Sequence, residues 1–191
     1  MPKQPFSPLK GSESFKLAGQ PIGLSVIDFW RFQFSNIWDM QDQIAEFIIA
    51  QALGQMEPYN KNGWTLWDIN YRGRRIEVKE TACYHSWHSD GKASTQPTFS
   101  ITKAYSRYKD STSEFKRQND IYVFCFNTGE NKESSNPLHL DNWRFWVVPT
   151  EIINRACGDN KTISLGRLQK LTNSMNGIGY EEVKTAVDGY C

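Results

Sequence analysis

Apolar positions along the chain recur with two different periods, and the change of period marks the elements. In NIWDMQDQIAEFIIAQALG, residues 36–54, apolar side chains return at Ile37, Met40, Ile44, Phe47, Ile48 and Ala52. That spacing, opened by Ser35 as an N-cap and closed by Gly54, predicts an amphipathic helix. The next two runs, WTLWDINY and RRIEVKET, alternate instead and are rich in β-branched and aromatic residues on either side of a glycine turn. A β-hairpin about Arg72-Gly73 is predicted. DIYVFCF is almost wholly apolar between Asn119-Asp120 and Asn127-Thr128-Gly129, the pattern of a strand covered on both faces. WRFWVVP reads as a further strand stopped by Pro149. FSIT suggests a short strand, residues 103–118 a charged helix or helix plus turn, and TEIINRA, SLGRLQKL and YEEVKTAV short helices. Residues 1–23 mix Pro, Ser, Gly and Lys with few apolar anchors and are expected to form a flexible arm or a segment lying over the surface. Residues 24–191 are then one α/β domain with a mixed sheet.

The hairpin carries the most specific geometry. With a two-residue turn at Arg72-Gly73, Tyr71 faces Arg74, Asn70 faces Arg75, Ile69 faces Ile76 and Asp68 faces Glu77. Alternation puts Lys79 on the face of Glu77, and Trp67, Ile69, Tyr71, Ile76 and Val78 on the other. Like charges directly opposed across a strand pair are destabilising. A hard divalent cation such as Mg²⁺ would relieve that repulsion, because it takes one or two carboxylates together with waters and phosphate oxygens. Lys79 would then orient the attacking water or neutralise charge building on phosphorus. The same residues also make an ordinary solvated sheet face, on which an ion pair is worth little.

Composition narrows the surroundings. At 191 residues the chain is long enough for a substantial core without cross-links, and 14% aromatic content with 7 Trp and 11 Phe argues for a folded protein. The net charge is only +1, yet residues 61–117 hold eleven basic side chains against six acidic ones, a local excess of five. That segment suits a polyanionic partner better than the whole chain does. Within it Trp87 is placed to stack on a base or to pack in the core, and Lys92, Lys103, Arg107 and Arg117 to meet phosphates or to form a solvated face.

Cys83, Cys125, Cys157 and Cys191 are widely spaced with no C-x-x-C pair, which signals neither a disulfide framework nor a zinc ribbon and suits a reducing cytoplasm. Cys83, His85 and His88 lack a fourth ligand at a recognised spacing and read as loop residues. No apolar run approaches the roughly 18 to 20 residues of a membrane span, and MPKQPFSPLKGSES has no apolar signal core. Neither a phosphate-binding G-K-[ST] loop nor a G-x-S-x-G elbow is present.

Asp68, eight residues, then Glu77-Val78-Lys79 on an apolar strand resembles the PD-(D/E)xK nuclease superfamily, whose fold is restriction-endonuclease-like. The order of a helix bearing Glu46, the hairpin, and the apolar strand DIYVFCF is similar as well. The likeness extends through NDIYVFCF, NWRFWVVPTEII and KTISLGRL, about residues 35–170, to bacterial proteins of this type. It implies an α-β-β-β-α-β core with a mixed central sheet flanked by helices. It also implies that Asp68 and Glu77 hold Mg²⁺, with Mn²⁺ able to substitute, and that Lys79 assists the nucleophilic water. Glu46 corresponds to the acid many members carry on the first helix, although it also fits the polar edge of an amphipathic helix. Two positions depart from the pattern: Trp67 stands where the name-giving Pro would be, and Glu80 directly follows Lys79. The activity implied is metal-dependent hydrolysis of nucleic acid, DNA before RNA, with a homodimer as the arrangement suited to double-strand cuts. An inactive module of the same fold that binds nucleic acid or protein is the alternative.

Overall fold

The apolar run at residues 121–127 organises the chain around itself. The structure, a computed structural model, describes residues 9–55, 66–85, 94, 96–105 and 114–191. In chain order it contains strands β1 (Ser14–Leu17) and β2 (Gln20–Ser25) and helices α1 (Val26–Gln33) and α2 (Gln41–Ala52). Then come β3 (Ile69–Tyr71), β4 (Arg74–Ala82), β5 (Thr98–Ser100), β6 (Ile121–Asn127) and β7 (Trp143–Pro149). Helix α3 (Thr150–Cys157), strand β8 (Thr162–Ser164), and helices α4 (Leu165–Thr172) and α5 (Val183–Asp188) complete it. A mixed sheet of order β3-β4-β6-β7 stands at the centre, with β4 and β6 parallel and both outer pairs antiparallel.

Every residue of β6 is buried, as an apolar strand inside a sheet requires, and its alternate side chains feed two separate cores. Ile121, Val123 and Cys125 join Ile76 and Val78 beneath α2 and α5. Tyr122, Phe124 and Phe126 join Phe99, Trp146, Ile153 and Leu168 on the other face. The start of β6 is fixed to β4 by Asp120, whose carboxylate receives the Arg75 amide at 2.8 Å and its guanidinium at 2.6 and 3.0 Å. Gly177 (φ +63°) lies so close to β7 that a Cβ would sit 2.8 Å from the Phe145 carbonyl oxygen.

Some elements differ from the sequence expectation. The first turn of the predicted helix at 36–53 is a separate 3₁₀ turn, Ile37–Met40, before α2 begins. FSIT yields β5, which leaves the central sheet and pairs with β8 instead. Of the charged helix expected at 103–118, the described parts form an antiparallel bridge between Ala104 and Lys116. The segment is anchored by non-helical partners: the Arg117 guanidinium is spent on the carbonyls of Ile101, Gly158 and Asn160, which draws the chain out along its neighbours. Residues 14–25 form a hairpin, so the boundary drawn at residue 23 falls inside β2. No helix among the described residues is long and apolar enough to cross a membrane.

Candidate active site

The β3–β4 turn has φ of +49° at Arg72 and +79° at Gly73. Positive φ at both central residues is the conformation whose twist matches a two-residue hairpin, and Gly73 makes it affordable. The register follows: Ile69 opposes Ile76, Asn70 opposes Arg75, and Tyr71 opposes Arg74. One pair further on, the ladder ends. The Asp68 amide donates to the Ile76 carbonyl at 2.9 Å, and Asp68 Oδ2 accepts the Val78 amide at 2.8 Å. Rather than standing opposite Glu77 as a second bare carboxylate, Asp68 grips the β4 backbone between Glu77 and Lys79. A charge-assisted bond to an edge amide stabilises the carboxylate there, where direct opposition would repel it.

Glu77 and Lys79 share one face of β4, as alternation requires, and form an ion pair through Glu77 Oε1 and Lys79 Nζ. Their side chains are 17% and 29% exposed, intermediate between core and surface. They line a cleft of about 190 Å³ with Ser100, Thr102, Lys116, Asn119 and Tyr122. Burial and the Glu77 carboxylate push the Tyr122 phenol up, so it remains protonated in the cleft wall. Ser100 Oγ and Thr102 Oγ1 are 3.3 Å apart on the exposed side of β5. This wall escaped sequence reasoning, although the FSIT alternation carries its signal: Phe99 and Ile101 are fully buried, leaving the hydroxyls between and after them on the other side.

The remaining candidates divide between the faces of the sheet. Glu46 belongs to α2, which packs over Ile76 and Val78, so it approaches from the far side of β4 from Glu77 and Lys79. Glu80 points to that far side too, under the influence of Asp42 on α2. Burial, and secondly Asp42, push its carboxyl up to about 8, so it is protonated at neutral pH. Its Oε1 is sealed from solvent with no hydrogen-bond partner among the described residues, as is Oε1 of Gln41. Cys125 on the same side is buried, and its thiol is held well above the usual range by burial and then by Glu80 and Asp68. It is no nucleophile.

Arg117 is 4% exposed, and its guanidinium also reaches Asn154 Oδ1 at 2.7 Å. Its four acceptors give it a structural task, at a position for which the sequence allows either a phosphate contact or a solvated face. Lys103 Nζ bonds Asp159 Oδ1 at 2.5 Å on the surface. Trp87, Lys92, Arg107 and His88 lie outside the described residues. Cys83 is a half-buried thiol raised by burial and Glu130.

Among the described residues no group of three or more His, Cys, Asp or Glu side chains is arranged to hold a metal ion. Mg²⁺ does not need such a group, since it keeps several waters and accepts one or two carboxylates. Asp68, anchored at the Val78 amide, and Glu77, one residue before it, are donors of that kind. Comparison of the chain with family models, with curated proteins and with solved structures finds no match in any of the three.

Proposed function

We propose that this protein is a metal-dependent nuclease hydrolysing phosphodiester bonds, most readily in DNA, on a restriction-endonuclease-like fold. The observation that carries the reading is the Glu77–Lys79 pair in a small polar cleft, with the Asp68 carboxylate fixed to the amide between them. The succession of α2, the β3–β4 hairpin and the buried strand β6 parallel to β4 is consistent with that fold. In this reading Asp68 and Glu77 hold Mg²⁺ or Mn²⁺, which supplies charge neutralisation at the phosphate and an acidified water. Lys79 carries a three-donor ammonium at the cleft and stabilises negative charge as it develops on the phosphate oxygens. Lys116, Ser100 and Thr102 supply further donors for the phosphate. Glu46 enters only as an accessory acid from the far side of β4.

The test is cleavage of duplex, single-stranded and branched DNA with Mg²⁺ or Mn²⁺, for wild type beside Asp68→Ala and Lys79→Ala. Metal-dependent cutting lost in both variants, at unchanged melting temperature, is the expected result. Absence of cutting on all three substrates together with no Mn²⁺ binding would rule the enzyme out.

A second reading is a module of the same fold that binds nucleic acid without turnover. It is favoured by the engagement of the carboxylates themselves, Asp68 Oδ2 with the Val78 amide and Glu77 Oε1 with Lys79. It predicts DNA affinity that falls steeply with salt and is unaffected or raised by Asp68→Ala.

A further inference from the structure

We infer that the hairpin and helix at residues 14–33 are a self-association surface that pairs with the same unit of a second copy of this chain. β1, β2 and α1 pack on one another, and none of them packs extensively on the central sheet or its helices. The unit has no core of its own: α1 buries no residue, and between residues 9 and 36 only Gly11 is buried. An isolated two-stranded hairpin is marginal in water and needs a further strand or an apolar cover. Here the apolar side chains are present but face outward. Phe15, Ile22, Leu24 and Phe29 are about half exposed, Leu17 is 73% exposed and Phe32 80%.

Area and charge select the occupant. At roughly 200 Å² for a fully exposed large apolar side chain, these six residues leave roughly 700 Å² of apolar surface on each copy, close to the area a dimer needs. A standard dimer buries about 800 Å² per partner. The unit's charges are few, with Lys10, Lys16 and Arg31 against Glu13 and Asp28. Glu13 accepts the amides of Lys10 and Gly11, and Asp28 accepts Ser25 and pairs with Arg31. An anionic membrane or a nucleic acid would call for a basic stripe that these residues lack, whereas two copies bring only a single net positive charge each, which salt screens. Among the described residues no further strand pairs with the outer edge of β1 or β2, and continuation of such an edge across a two-fold axis is a ready route to a dimer. The inference stands whether or not the Glu77 cleft cuts a substrate.

Sedimentation velocity of the intact chain at micromolar concentration tests it, with far-UV circular dichroism alongside. Wild type is expected at twice the chain mass. Leu17→Asp and Phe32→Asp should each raise the dissociation constant by roughly 30-fold or more without loss of the central fold, because neither replaces a buried residue. Phe32→Leu, which keeps the apolar surface, should remain dimeric, as should Leu138→Asp, a control at an exposed loop residue. A wild-type chain that stays monomeric through the micromolar range overturns the proposal, as does a dimer indifferent to both aspartate substitutions. Phe32-dependent flotation of monomeric chain with phosphatidylcholine vesicles would assign the surface to a membrane and overturn it equally.

Discussion

The chain builds the same hairpin turn twice and uses it in opposite ways. Ala18-Gly19 has φ of +48° and +78°, and Arg72-Gly73 has +49° and +79°. Both are two-residue turns in which a non-glycine residue accepts a left-handed conformation beside a glycine that takes it freely. After the second turn, β4 runs on for nine residues and pairs with β6 over seven of them, and Glu77 and Lys79 are left to face a cleft. After the first, β2 packs among the described residues chiefly on β1 and α1, and its apolar side chains remain outside. Turn chemistry sets the local geometry of a hairpin, but the neighbouring strand decides which side chains become core and which become available for chemistry.

The largest expected effect separates the hairpins by function. Lys79→Ala should reduce DNA cleavage by about 10² to 10⁴-fold, while Lys16→Ala in the first hairpin leaves the rate unchanged. Initial rates at saturating Mg²⁺ measure it, and equal losses in both variants would break the contrast.

The next effect concerns the buried side of β4. Glu80 has a carboxyl raised on folding from 4.5 to about 8. Between those values the folded state holds a proton that the unfolded state has released, so stability is full below about pH 4.5 and falls as pH rises toward 8. Glu80→Gln removes that dependence and should stabilise the protein at pH 8 to 9 by on the order of 2 kcal/mol. Denaturant melts at pH 5 and pH 8.5 measure it; a variant with the wild-type pH slope would contradict the assignment. The first hairpin holds no buried carboxyl and supplies no such slope.

Gly73→Ala and Gly19→Ala probe the turns themselves. Neither glycine has any atom within 4 Å of a would-be Cβ, so the cost in each case is backbone strain alone. Gly73→Ala should lower global stability by about 1 kcal/mol. Gly19→Ala should leave the main unfolding transition in place and weaken self-association instead. Chemical denaturation read beside sedimentation distinguishes them.

The second hairpin was legible because alternation, β-branched residues and a glycine turn agreed over WTLWDINYRGRRIEVKET, and its register is the one the spacing predicts. Burial of β6 was legible for the same reason, since an apolar run of that length has little else to do. The first hairpin was not, because SFKLAGQPIGLS is short, broken by Pro21 and Gly23, and lacks an inward face for alternation to reveal. Within the site, alternation placed Glu77 with Lys79, but it gave no hint that Asp68 would leave the ladder to accept the Val78 amide. The fate of Arg117 was equally hidden, because a guanidinium surrounded by carbonyls from residues 101, 158 and 160 depends on contacts distant in sequence. Periodicity reports which way a strand residue points; it cannot report what arrives from elsewhere to meet it.

The smallest expected effect lies at the clamp that gives the second hairpin its neighbour. Arg75 and Asp120 join β4 to the start of β6 through four hydrogen bonds, three of them to the Asp120 carboxylate, and among the described residues β2 has no equivalent tie to the central sheet. The Arg75 guanidinium, chiefly by hydrogen bonding, holds the Asp120 carboxyl below the usual carboxylate range. A carboxyl depressed on folding contributes stability that is present above its unfolded value, about 3.9, and is lost as pH falls through its folded value. Asp120→Asn should therefore cost at most about 1 kcal/mol at pH 7. The limit follows from solvent screening, since the Arg75 side chain is 38% exposed. The difference from wild type should shrink steadily as pH falls below the unfolded value, which equilibrium unfolding at pH 7, 4 and 2.5 would follow. A cost that persists undiminished at pH 2.5 would mean that the amide bond to Arg75, and not the charge, is what joins the hairpin to its sheet.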